Sequence, residues 1–115
     1  MKEEEAKQIL ELSEDQLTIR LGALVSPNKH AKPVDDDEAK KCADNWLQQN
    51  WKRATEIVCS NEKIRNILDR DNIFNDTGLL IAIFSILSNI FEPIVAALVS
   101  GLVVHRGLSS ICSVD

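Results

Sequence analysis

Tyrosine is absent from this chain, and only three phenylalanines and two tryptophans stand among its 115 residues. No stretch alternates apolar and polar residues in the manner of a half-buried strand, so β-structure lacks both its favoured side chains and its pattern. Glycine is scarce and scattered, at Gly22, Gly78, Gly101 and Gly107. A glycine-rich phosphate cradle therefore has no material, and neither G-x-S-x-G nor H-E-x-x-H occurs. Excess positive charge is missing too. A net charge of −5 argues against a nucleic-acid partner, which needs cations to neutralise phosphates.

The three cysteines, Cys42, Cys59 and Cys112, show no CxxC spacing. Cys42 and Cys59 fall on one expected helix, where the rise of ~1.5 Å per residue separates them by roughly 26 Å and forbids a bond between them. An odd set of this kind reads as reduced, buried thiols of a cytoplasmic protein. The run Met1-Lys2-Glu3-Glu4-Glu5 is too acidic for a signal peptide. Metal-ligand spacing is missing as well, since His30, His105 and Cys112 form no close pairs. Asp35-Asp36-Asp37-Glu38 lacks the glycine and spaced oxygens of a calcium loop and reads as a solvated helix start. No metal and no cofactor is expected.

The most informative scarcity is of charge in the back of the chain. Of 18 acidic and 13 basic residues, only Glu92, Arg106 and Asp115 lie beyond Thr77. A charged front is thus joined to an apolar back that something must cover.

What is present is helical periodicity. Lys2–Leu12 predicts a first helix with Ala6, Ile9 and Leu10 inward. Ser13 and Gln16 form the frame of a capping box ahead of a second helix that buries Leu17, Leu21, Leu24 and Val25. That helix has the option of merging with the first through a bend. Pro27 and Pro33 bracket an unpatterned stretch, expected to be the most mobile internal loop. The acidic run at Asp35 suits the positive end of a helix dipole and opens the longest helix, to about Cys59. Its Ala43, Leu47, Trp51, Ala54 and Val58 recur every three or four residues, with Trp46 and Ile57 widening the stripe. Ser60 is the candidate cap of a short helix, Asn61–Arg70, with Ile64, Ile67 and Leu68 inward. Ile73 and Phe74 then anchor a loop. Asp76 or Thr77 caps a helix from Gly78 to about Phe91, and Pro93 suits the first turn of a last long helix to His105. Gly107 ends it, and Leu108–Cys112 packs back.

Three environments compete for the apolar back. A bilayer takes ~20 consecutive helical residues, and Leu79–Val104 is interrupted near its middle by Glu92-Pro93, leaving neither half long enough. Insertion of an acidic side chain at mid-membrane is also costly. Burial inside one bundle gives Glu92-Pro93 an exposed corner between two core helices. Self-association is the third option, because Ala97-x-x-x-Gly101 and Ala96-x-x-x-Ser100 let helix backbones approach closely.

The expectation is an all-α, compact bundle of five or six helices with one or two central hydrophobic helices. It forms a single domain, 1–115, with an amphipathic front (1–76) and apolar core helices (77–112). The expected role is a non-enzymatic interaction or regulatory module, cytoplasmic, bound to a second copy or another protein and to no nucleic acid. The alternatives are a membrane-associated or membrane-inserting helical protein, which Glu92-Pro93 disfavours, and a small enzyme using groups such as Glu92, His105, Cys112 and Cys59. Candidate interaction residues are Trp46 and Trp51, of which one is expected to remain partly exposed, and Ile94, Ala97, Leu98 and Gly101 on the last long helix.

Overall fold

Short-range hydrogen bonds decide where the helices begin. In the computed structural model, which describes residues 1–26, 35–69 and 75–112, both halves of the expected capping box form. Ser13 N–H donates to Gln16 Oε1 at 2.8 Å and Gln16 N–H to Ser13 Oγ at 3.1 Å. This separates α1 (Glu3–Glu11) from α2 (Glu14–Val25), so the two do not merge. Asp35 accepts from the Glu38 amide at 2.8 Å and opens α3 (Asp36–Cys59). Asn61, rather than Ser60, accepts from the Lys63 amide at the head of α4 (Glu62–Asp69). Likewise Asn75, one residue before the expected caps, accepts from Gly78 at 2.7 Å and starts α5 (Asp76–Leu87).

That helix stops before Phe91. Ser88 Oγ donates to the Ser85 carbonyl, and Asn89 Nδ2 to the Ser85 and Ile86 carbonyls, which satisfies the last turn without further helix. Glu92 is the N-cap and Pro93 the first residue of α6 (Pro93–Arg106). Gly107, at φ 92°, turns the chain into α7 (Leu108–Ile111), a backbone conformation that side chains with a Cβ resist. The described residues therefore hold seven helices and no strand, an all-α fold with more elements than five or six because the tail forms its own turn. The expected mobile loop Pro27–Val34 and the anchors Ile73 and Phe74 lie outside the described residues.

Helix α6 is the central helix. It packs against α1, α2, α5 and α7, and buries Ala96 and Leu98 through Val103 without a break. A helix apolar on all sides is stable only when enclosed in this way. The one hydroxyl in that run, Ser100, donates to the Ala96 carbonyl at 2.7 Å, so it is not an unmet donor in the core. Around it one cluster gathers Leu17, Leu21, Ala43, Leu47, Ala54, Val58, Ile64, Ile83 and Leu87.

Two glycines allow close helix approaches. A Cβ at Gly22 would overlap the Ala39 carbonyl, so α2 and α3 meet backbone to backbone there. A Cβ at Gly101 would lie 2.8 Å from Ile9 Cγ2 and 3.0 Å from Leu17 Cδ1. Gly101, one of the residues in the small-residue spacing on α6, thus serves contact with α1 and α2 of the same chain.

Candidate functional site

Near its start, α6 is not enclosed. Met1, just ahead of α1, and Glu5 and Ile9 on it recur every four residues and lie beside Arg20, Ala23 and Leu24 of α2. Phe84 of α5 and Pro93, Ile94, Ala97 and Leu98 of α6 complete an apolar groove of about 530 Å³. That size falls within the usual range of ligand pockets, ~300–1,000 Å³. Leu98 forms part of its floor at 4% exposure, while Ile94 stands out at 63%, the large hydrophobic residue left exposed among the described residues. Its charged lining residues are Glu5 and Arg20, of opposite sign, and neither forms an ion pair with another described residue.

The expected interaction residues divide. Ile94, Ala97 and Leu98 come together in this groove. Gly101 does not join them: it is buried against Ile9 and Leu17, because the space a side chain would take is already filled by α1 and α2. Trp46 and Trp51 are both partly buried, and the chain itself engages each of them. Trp46 meets Phe91 with ring centroids 5.1 Å apart and lines a second, smaller groove of about 200 Å³ with Val25, Cys42, Asn45 and Gln49. Trp51 lies under the Arg106 guanidinium, 4.5 Å from ring centroid to Cζ. Arg106 also donates from Nε to Glu14 Oε1 at 2.7 Å, tying the end of α6 to the start of α2. With Leu24 near Ile94 and Glu14 at Arg106, α2 and α6 run antiparallel.

The thiols differ from the expectation. Cys42 is free, but Cys59 and Cys112 are joined by a disulfide with Cα atoms 5.4 Å apart. Helix α3 does keep Cys42 and Cys59 apart, but the chain after Gly107 folds back and delivers Cys112 to the end of α3. Cys59 and Cys112 are neither reduced nor simply packed as small hydrophobic residues, whereas Cys42 keeps its thiol. The one sequence signal for this was the apolar tail Leu108–Cys112, whose return to the core carries its cysteine with it.

Glu92 is exposed at the α5–α6 corner, as its place before Pro93 suggested, and His105 is exposed in the last turn of α6. Neither lines the large groove, and neither do Cys59 and Cys112. Among the described residues no three His, Cys, Asp or Glu side chains are grouped to hold a metal ion. Also among them, no helix is long and apolar enough to cross a membrane. The groove residues on α1, together with Arg20 and Phe84, were missed from sequence. Nothing in their local pattern marks them, since a groove is made by four helices and not by one. No family model, curated protein or solved structure matches the chain, so the groove and the contacts around it are read from their own chemistry.

Proposed function

We propose that this chain is a non-enzymatic helical interaction module that pairs with a second copy of itself through the groove beside Ile94. The observation that carries the reading is the position of Ile94, exposed at 63% on the lining of an apolar groove. A twofold contact needs a patch that complements itself, with projection and recess on the same surface. This patch has both, in Ile94 and the recess over Leu98. Its charges follow the same rule: Glu5 of one copy can meet Arg20 of the other, and the reverse. Burial of a largely exposed isoleucine contributes roughly 1–2 kcal/mol per copy. The dimer is accordingly a reversible one.

The groove is lined by no serine, threonine, cysteine, histidine or lysine, and its one carboxylate, Glu5, has no acid or base beside it in the lining except Arg20. A cytoplasmic location is part of the same proposal, and it makes a demand on Cys59–Cys112. Cytosolic thiols are kept reduced, and disulfides there are mostly transient.

Sedimentation equilibrium across a range of micromolar and higher concentrations tests the pairing. A monomer–dimer equilibrium is expected, weakened at least about tenfold by Ile94→Asp, a change of ~1.4 kcal/mol. Helical circular dichroism should stay intact, because the side chain is exposed. Glu5→Arg or Arg20→Glu alone should weaken the dimer, and the two together should restore it. A monomer at every concentration overturns self-association. Should that monomer instead bind lipid vesicles or another protein's helix, the groove has a different occupant.

A further inference from the structure

We propose that Cys59 and Cys112 form a reversible redox latch on the C-terminal helix, opened by a small thiol or dithiol reductant. The bond joins the last residue of α3 to the residue that follows α7. Alone, α7 cannot hold itself in place. It has four residues, far fewer than the ~12–15 at which an isolated helix becomes even marginal in water, and of these only Leu108 is buried, at 7% exposure. Gly107, at φ 92° and with only the Ser110 hydroxyl in ordinary contact, 3.8 Å from where a Cβ would be, is a ready pivot between α6 and α7.

Both half-cystines are partly exposed, unlike the sealed side chains of α6, so a nucleophile can reach the bond. The Arg65 guanidinium donates to the Cys59 carbonyl at 3.3 Å, which places a positive charge at a residue that becomes a thiolate during exchange.

Opening proceeds by two exchanges. A reductant thiolate attacks one sulfur of the pair. The Cys59–Cys112 bond breaks, a mixed disulfide forms on the attacked cysteine, and the other leaves as a thiolate that takes up a proton. A second reductant thiol then attacks the mixed disulfide, frees the remaining cysteine and departs as the oxidised reductant. Two electrons and two protons pass to the chain, and the reductant becomes a disulfide. With the latch open, α7 swings on Gly107 and withdraws Leu108 and Ile111 from the core, while α1 to α6 keep their packing.

The free Cys42 is an internal reference. The full chain is equilibrated in glutathione buffers of graded redox ratio, alkylated, and weighed by mass spectrometry, with hydrogen exchange followed in parallel. Oxidised chain should take one alkyl group, at the single free cysteine, and reduced chain three. The change should fall within the glutathione ratios that cells maintain, and faster exchange on reduction should be confined to 107–112. The double substitution Cys59→Ser with Cys112→Ser should reproduce the reduced exchange pattern. Three results overturn the latch: a bond that stays closed at every ratio, thiols that never pair, or exchange that rises throughout the chain. If the double variant does not fold, the titration of the native chain still decides. Failure here is distinct from failure of self-association, since a dimer with a permanent bond loses only the latch, and a monomer whose bond opens loses only the pairing.

Discussion

The two ends of α6 are closed by different means. At its C-terminal end, Arg106 pairs with Glu14 and covers Trp51, Gly107 reverses the chain, and Cys112 is bonded to Cys59. At its N-terminal end, Ile94 and Ala97 face an open groove with no ion pair across it among the described residues. The stretch between them, Ile94–Val104, carries no charged residue. The difference shows that apolar sequence alone does not enclose a helix; directional and covalent contacts close one end and leave the other open.

Removal of the covalent contact should have the largest effect. The disulfide closes a chain separation of 53 residues, and loss of that constraint on the unfolded state amounts to ~4 kcal/mol in the chain-entropy account. Cys112→Ser should therefore lower the urea midpoint strongly while the far-UV spectrum remains helical. Filling the middle of α6 comes next. Gly101→Leu inserts a side chain where Ile9 and Leu17 already stand, and overpacking of this kind costs about 1–3 kcal/mol. It should destabilise the monomer and not merely split a dimer. Chemical denaturation followed at concentrations below dimerisation distinguishes the two.

Arg106→Ala tests the polar part of the closed end. Its ion pair is well exposed, with side chains 39% and 48% accessible, and is discounted accordingly. Together with the contact over Trp51 the loss should be about 1 kcal/mol, and the fluorescence of Trp51 should change. The open end should respond least. Glu92→Gln removes an exposed carboxylate whose side chain makes no cap hydrogen bond, and should shift stability by less than ~0.5 kcal/mol in thermal melts. A large loss at Glu92 with little at Arg106 would invert the comparison.

What the sequence determined by itself was local. The Ser13–Gln16 box, the start of α6 at Pro93 and its end at Gly107 each depend on residues within a turn of one another, so their chemistry is complete in the linear chain. The choice among adjacent caps was not determined, because Asn75, Asp76 and Thr77 can all serve and only the register of the packed helix selects Asn75. Helix spacing paired Ile94 with Leu98 and Ala97 with Gly101, and the groove keeps the first pair and takes Ala97 from the second. That Gly101 is spent inside the chain was not legible, because the same small-residue spacing suits a neighbour in one chain or in two. Only the tertiary structure supplied Ile9 and Leu17 as that neighbour, Ala39 as the reason for Gly22, and Cys112 as the mate of Cys59. In each case the partners lie on different helices, and their meeting depends on how those helices cross, which no single segment of the sequence encodes.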